Sequence, residues 1–302
     1  MSKILVIGST NVDLIASVGR LPRPGETVGD ARFLQSDGGK GANQAVAAAR
    51  LGGDVGFVTC LGEDLHAKRL REQFAAVGID PSTCFSVPGE PTGTALIYVS
   101  ADGENCIAVA PGANRMLDRA AIDSVADRIA AAEYVLLQLE IPLDTVIYAI
   151  EKAYAAGTKV VLNPAPAAQL PDEVLRKVYL ITPNRTECEA LTGLPVRTAD
   201  DASRAAAALL EKGVRRVIVT LGGEGALIKD TAGEDRVPAC RVEAVDTTAA
   251  GDVFNGALLV ALSEGEPLLD AVRFATRCSA VSVTRMGAQT SIPTREEVAV
   301  RA

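Results

Sequence analysis

Short apolar runs alternate with Ala-rich helical patterns along most of this chain, and that alternation limits the folds open to it. The runs at 3–8, 55–61, 134–139, 159–163, 179–182 and 215–220 each read as a buried strand. Helical patterns over 65–77, 118–132, 143–156 and 199–212 separate them, and two more follow at about 251–263 and 267–284. Strands spaced by helices of that length build βαβ units, hence a mainly parallel sheet covered by helices on both faces. The expected class is α/β: a three-layer α/β/α sandwich within a single domain over 1–302.

Two stretches break the alternation. Residues 14–36 carry short alternating pieces (Leu14, Ile15, Val18, then Val28, Phe33, Leu34) around Pro22-Arg23-Pro24-Gly25. Residues 94–100 and 105–109 read as strands joined by the hairpin signal Ala101-Asp102-Gly103-Glu104. Together these stretches, about 14–36 and 94–109, are expected to form a small β lid outside the main sheet. So few strands cannot close their own core, and their edges need cover. A homodimer through crossed lids is the expected assembly.

Composition narrows the function classes. The net charge is −8, from 38 acidic and 30 basic residues, which argues against nucleic-acid or membrane-surface binding. Met1-Ser2-Lys3 leads straight into Ile4-Leu5-Val6-Ile7, without the architecture of a secretory signal. The six cysteines are dispersed and form no Cys-x-x-Cys, as expected of reduced thiols in a cytoplasmic protein. There is a single histidine, His66, so a Ser-His-Asp hydrolase would have to be built on it.

Chemistry concentrates in a few turns. Asp246-Thr-Thr-Ala-Ala-Gly-Asp252 precedes the apolar helical pattern Val253, Phe254, Ala257, Leu258, Val260, Ala261. Small residues let the backbone N–H groups of Ala249, Ala250 and Gly251 approach a ligand, and a helix start attracts anions. Asp252 in the first turn could take a proton from a hydroxyl beside that anion. The alternative is an N-cap, since Asp near a helix start is common. Asn11 and Asp13 follow the first strand, and Glu140 follows another. All three are expected at the sheet edge where ligands gather. Asp37-Gly-Gly-Lys-Gly-Ala-Asn43-Gln44 opens a helix, with Gly38, Gly39 and Gly41 able to bring backbone close to a ligand. It is neither a Walker A loop nor a dinucleotide fingerprint, because the spacing of both fails. Asn184 and Glu187 are spaced i, i+3, suiting either Mg²⁺ and phosphates or a capping box. Leu221-Gly-Gly-Glu-Gly225 could receive a nucleotide or simply reverse the chain.

These residues taken together resemble the PfkB-type carbohydrate kinases over essentially the whole chain. Residues 37–45 are similar to the family's N-terminal signature and 246–252 to its C-terminal one, with Ala249 where many relatives have Gly. Asn-Val-Asp at 11–13, Pro-Gly-Glu-Thr-Val at 24–28, Gln-Leu-Glu at 138–140, Asn-Pro-Ala-Pro-Ala at 163–167 and Asn-x-x-Glu at 184–187 fall in family order.

The resemblance implies a ribokinase-like fold and an ATP-dependent sugar kinase, expected to phosphorylate D-ribose at its 5-hydroxyl. Deoxyribose or nucleoside phosphorylation, or non-catalytic sugar sensing, are the alternatives. It further implies that Asn11, Asp13, Gly39, Lys40, Asn43 and Glu140 hold the sugar. Asp252 would be the base, with Ala249, Ala250 and Gly251 as anion hole. Asn184, Glu187, Thr220, Gly222, Gly223, Gly225, Gly251 and Thr276 would meet ATP and Mg²⁺. A K⁺ site would be built from Asp246, Thr248, Ser282, Arg285, Gly287 and Ser291. Gly223 and Thr276 depart from the residues common at those positions.

Overall fold

The computed structural model describes residues 2–102 and 104–300. Its strands are β1 (Ile4–Ile7), β2 (Asn11–Val18), β3 (Arg32–Gly38), β4 (Val55–Leu61), β5 (Cys84–Ser86), β6 (Gly93–Ser100), β7 (Asn105–Ala110), β8 (Tyr134–Leu137), β9 (Lys159–Leu162), β10 (Leu180–Ile181), β11 (Arg216–Thr220), β12 (Ala226–Asp230) and β13 (Gly233–Val237). Its helices are α1 (Lys40–Arg50), α2 (Leu65–Ala76), α3 (Arg119–Ser124), α4 (Ala126–Ala131), α5 (Leu143–Ala155), α6 (Asp172–Leu175), α7 (Arg185–Thr192), α8 (Ala199–Glu211), α9 (Ala250–Ser263), α10 (Leu268–Ser282) and α11 (Arg295–Val300).

Among the described residues nine strands form the main sheet, in the order β13-β12-β11-β10-β9-β8-β1-β4-β5. It is parallel from β11 to β5, and only β12 and β13 run antiparallel. Side chains alternate along a strand, so each strand feeds two cores. Ile4 and Val6 enter the core under α1, α2, α9 and α10, while Leu5 and Ile7 enter the core under α3 to α8. That is the expected three-layer sandwich. The apolar stripe of α8 (Ala202, Ala205, Ala206, Leu209) shows the helical spacing that marked it in the sequence.

The second sheet has four strands, in the order β3-β2-β6-β7, with only the β2–β6 pair parallel. Asn11 and Asp13, expected just after the first strand, are the opening residues of β2, where Asn11 pairs with Gly38 and Asp13 with Ser36. The signature Asp37-Gly38 is the end of β3. Gly103, in the expected β6–β7 hairpin, lies outside the described residues. The single helix expected over 118–132 is two short ones, because Val125 leaves helical geometry (φ −113°, ψ 15°). β5, α6 and α11 were not anticipated; runs of three to six residues are too short to show a period.

Helix α9 is buried along its whole length from Asp252 to Ser263, against α1, α10 and β1. Each of its large side chains contributes roughly 1.5–3 kcal/mol by leaving water. Gly256 sets the distance to α1: a Cβ there would lie 2.7 Å from the Ala47 Cβ and 2.8 Å from the Ala48 nitrogen. This close approach brings the first turns of α1 and α9 together.

Candidate active site

The start of α1 is fixed by its own chain. Gly39 is its N-cap at φ 85°, and a Cβ there would meet the Asn11 nitrogen at 2.7 Å. The glycine is therefore required for α1 to close on the β1–β2 turn. Glu140 Oε2 accepts from the Lys40 amide (2.9 Å) and from the Ser9 hydroxyl (2.6 Å). Asn11 Oδ1 accepts from Asn114 Nδ2 at 2.8 Å. Asp13 lies beside Glu140, Asp37 and Asp252. Burial, and then those three charges in that order, push its pKa up to about 6. Asp37 itself is paired with Arg69.

Asp252 stands on the first turn of α9 and is buried. Its Oδ2 accepts from Asn43 Nδ2 and its Oδ1 from Gln44 Nε2, both at 2.9 Å. It does not cap its helix. The N-cap is Ala249, in the left-handed region at φ 60°, and no side chain bonds there. Burial raises the Asp252 pKa above the usual carboxylate value, against the pull of Lys40 and of the two amide donors; Glu140 adds to the rise. Burial also pulls Lys40 down, but Asp252, Glu140 and Glu187 outweigh it and leave the ammonium firmly protonated. Asn43 Oδ1 is buried with no partner, an acceptor left open beside the carboxylate.

A cleft of about 820 Å³ runs from Lys40 and Asp252 past the α9 turn to Gly222, Gly223 and Thr276. The Ala250 amide donates to the Thr247 carbonyl (3.2 Å) and the Val253 amide to the Ala249 carbonyl (2.9 Å). The Gly251 and Asp252 amides between them find no acceptor among the described residues. Space above Gly251, Gly222 and Gly223 is open, with nothing within 4 Å of a Cβ position. Gly225 is different: a Cβ there would lie 2.0 Å from the Val237 carbonyl, so this glycine serves the turn into β12. Asn184 and Glu187 line the same cleft. They also form the capping box of α7, whose three bonds span 2.8–2.9 Å. The capping box is therefore realised, by residues that also line the cleft. Burial raises the Glu187 pKa, opposed by the Asn184 amide and Lys40 and reinforced by Asp252. Thr276 turns its hydroxyl to its own helix at Val272, 2.8 Å away.

On the far side of the turn, Asp246 Oδ1 accepts from the Thr248 amide (2.9 Å) and hydroxyl (2.6 Å), and Oδ2 from the Gly287 amide (2.8 Å). Those bonds outweigh burial and hold its pKa below the usual value. Ser282 and Ser291 are fully buried at the two ends of the neighbouring loop. Arg285 instead sends its guanidinium to Glu297.

The fold and this constellation match one family. The pfkB family carbohydrate kinase model covers residues 1–295. The chain belongs to that family. The Ribokinase of Haemophilus influenzae is 44% identical over 294 residues, covering 97% of this chain and 96% of the relative. The Deoxyribokinase of Salmonella typhimurium is 41% identical over 295 residues, covering 97% and 96%. The structure of Arabidopsis thaliana Ribokinase complexed with ribose and ATP superposes with a TM-score of 0.91 at 34% identity, covering 99% of this chain and 98% of that one.

Several polar residues in or behind this kinase's cleft had no role assigned from sequence: Asn163, Thr182 and Asn255 line it, and Ser9, Gln44, Asn114 and Gln138 hydrogen-bond to the site from behind. A signal was available for three of them. Gln138, Asn163 and Thr182 each follow the last apolar residue of a parallel strand, at the carboxyl edge where α/β sheets place their sites.

Proposed function

We propose that this chain is an ATP-dependent D-ribose kinase, transferring the γ-phosphoryl group to the 5-hydroxyl to give D-ribose 5-phosphate and ADP. The observation that carries the reading is the Asp252 carboxylate, held between Asn43 and Gln44 where the sugar end of the cleft meets the open amides of α9. The name of the Haemophilus relative, and the ribose and ATP of the Arabidopsis complex, support the substrates.

In this reading Asn11, Asp13, Asn43 and Glu140, with the Gly39–Lys40 backbone, hold the sugar hydroxyls. The unpartnered Asn43 Oδ1 accepts from one of them. Asp252 takes the proton of the attacking hydroxyl. The Gly251 and Asp252 amides, at the end of the Ala249–Ala250–Gly251 turn, face the charge that develops on the transferred group; the Ala250 amide, expected beside them, is held by the Thr247 carbonyl. Lys40, beside both Asp252 and Glu187, balances that charge. Phosphoryl transfer needs mainly such positioning and charge stabilisation. Asn184, Glu187, Thr220, Gly222 and Gly223 receive the nucleotide, with Thr276 near the base. Mg²⁺ bound with the phosphates would neutralise their charge, and the Glu187 and Asn184 oxygens suit its hydration shell. Asp246 keeps spare acceptor capacity next to the Gly287 backbone, which fits a K⁺ site completed by Thr248, Ser282, Arg285 and Ser291, chiefly through carbonyls. A flat rate when Na⁺ replaces K⁺ at constant ionic strength would remove that ion from the account.

The second sheet is the lid. Phe33 (69% exposed), Ile107 (53%) and Val109 (56%) leave it with apolar surface that a second copy of the chain would cover. A fully active monomer by light scattering at micromolar concentration would count against the dimer. A cytoplasmic location accords with six free thiols, and among the described residues no helix is long and apolar enough to cross a membrane.

The second reading is a deoxyribose kinase, favoured by the 41% identity to the Salmonella enzyme. ADP release on ribose, 2-deoxyribose, adenosine, pseudouridine and fructose decides between them. Ribose is expected to give the highest kcat/KM; faster turnover on deoxyribose or a nucleoside would overturn the assignment.

A further inference from the structure

The Asp252 carboxylate meets no cation at hydrogen-bonding distance; both of its oxygens are held by neutral amides. Gln44, fully buried, is the less accessible of the two donors. One Nε2 hydrogen goes to Asp252 Oδ1 (2.9 Å) and the other to Asn163 Oδ1 (3.0 Å). An ionised carboxylate only accepts, so the polarity of this amide is fixed. Its Oε1 must then find a donor, and Gln138 Nε2 supplies one at 2.6 Å. Gly8 leaves room for Gln138, since a Cβ there would lie 2.1 Å from Gln138 Oε1.

The same bonds continue into a ring. Asn163 Nδ2 donates to the Thr182 carbonyl (3.2 Å), the Thr182 hydroxyl to Asn255 Oδ1 (2.6 Å), and Asn255 Nδ2 to the Gly251 carbonyl (2.8 Å). Gly251 precedes Asp252, so the ring returns to its start through the turn that carries the open amides. Every side chain in it other than Asp252 is neutral. A cation in the place of Gln44 would hold the carboxylate but weaken it as a proton acceptor. An apolar side chain would leave Oδ1 buried without a donor. An amide holds it and cannot take the proton itself.

We propose that Gln44 is the positioning residue of the base: locked by Gln138 and Asn163, its amide orients the Asp252 carboxylate against the Gly251 turn and keeps it a free acceptor. The proposal rests on the reading of Asp252 as the base.

The test is the pH profile of kcat with ribose and Mg²⁺–ATP for Gln44→Glu, Gln138→Glu and Asp252→Asn. The other charges facing Asp252 are Lys40 of α1, Glu140 after β8, Asp13 of β2 and Glu187 of α7; all three variants retain them. Gln44→Glu makes two carboxyl groups share one proton, so the base is freed only at higher pH. The acid limb should move up by about one pH unit or more, with the ribose KM near the wild-type value. Gln138→Glu, once ionised, accepts but cannot donate. Gln44 then turns its amide over and presents Oε1 to Asp252, which moves the limb in the same direction without touching the base. This variant decides the matter if Gln44→Glu does not fold. Wild-type limbs in folded variants, with Asp252→Asn inactive, would overturn the role of Gln44 and leave the base standing. Asp252→Asn within tenfold of wild-type turnover would overturn both readings.

Discussion

Helices α1 and α9 begin side by side at the site, and their N-termini are built in opposite ways. At α1 the chain supplies its own acceptors: Glu140 for the Lys40 amide, the Ser9 hydroxyl for Gly41 (3.3 Å), the Ser9 carbonyl for Ala42 (2.8 Å) and the Gly39 carbonyl for Asn43 (2.9 Å). At α9 the Gly251 and Asp252 amides face the cleft, and the N-cap Ala249 has no side-chain acceptor to give. A closed helix start positions side chains, whereas an open one offers N–H groups and a dipole to an anion. The difference supports the proposal that the sugar lies on the α1 side and the moving phosphoryl group on the α9 side. A helix start rich in Gly is therefore not by itself an anion site; what decides is whether its amides are already taken.

The largest expected effect falls where the two starts meet. Asp252→Asn removes proton acceptance and sets an NH₂ group against the donors of Asn43 or Gln44. General-base catalysis contributes roughly 10²–10⁴-fold, which is about 3–5 kcal/mol of barrier at 1.36 kcal/mol per decade. Turnover should fall by that factor. Ribose affinity by calorimetry should change far less, because Asp13, Asn43 and Glu140 remain. A loss of binding equal to the loss of turnover would instead make Asp252 a sugar ligand.

The same substitution at the two starts should have opposite signs. Gly39→Ala puts a Cβ 2.7 Å from the Asn11 nitrogen at a φ of 85°. Strain and overpacking there should cost about 2–5 kcal/mol of stability. Gly251→Ala meets nothing within 4 Å and lies in a helix. It should stabilise the fold by about 0.5–1 kcal/mol while raising the KM for ATP. Thermal midpoints and ATP kinetics on the pair read both signs. If Gly39→Ala melts like wild type, the α1 start is not closed as described.

A smaller effect separates the two sides by pH. Asp13 on the sugar side has its pKa raised to about 6 by burial and by Glu140, Asp37 and Asp252. Above that pH it is ionised and accepts from a hydroxyl; below it, it is neutral and loses that role. The ribose KM should therefore climb as pH falls through about 6, while the KM for ATP does not follow. Because this carboxylate is raised above its unfolded value of 3.8, its protonation stabilises the folded state as pH falls, so the rise in KM precedes any unfolding from this group. A ribose KM independent of pH between 5 and 7 would place Asp13 outside the sugar contact.

Much of this could be read from the sequence. The strand–helix alternation gave the sandwich because parallel strands buried on both faces leave continuous apolar runs. Asp252, Asn43, Asp13 and Glu140 stood out as polar groups at strand ends and helix starts. What sequence could not show was which N–H groups are already used. Gly39 and Gly251 look alike in the chain, yet one is filled by backbone from residues 10 and 11 and the other is open. The ring from Asp252 through Gln44, Asn163 and Thr182 to Asn255 was equally hidden, since its bonded pairs lie 19 to 208 residues apart and meet only through the sheet order. Asn184 and Glu187 fit a capping box and a nucleotide site equally well in sequence, and the fold uses one pair for the cap and the cleft wall at once.

The smallest effect concerns the strain at the open start. Ala249 is the one non-glycine residue with positive φ among the described residues, at φ 60° and ψ 8°. An L-residue pays roughly 1–2 kcal/mol for that conformation. Ala249→Gly removes the strain, but a glycine also loads the unfolded chain with entropy worth about 0.4–1 kcal/mol. The net gain should be at most about 1 kcal/mol, seen as a rise of a few degrees in thermal midpoint by calorimetry. Turnover should stay near the wild-type rate, since the turn keeps its shape and its amides. The α1 start, whose cap is already glycine, has no such reserve. A drop in midpoint would mean that the Ala249 methyl holds the turn through contact rather than straining it. The left-handed turn would then be a gain of the open start and no longer a cost.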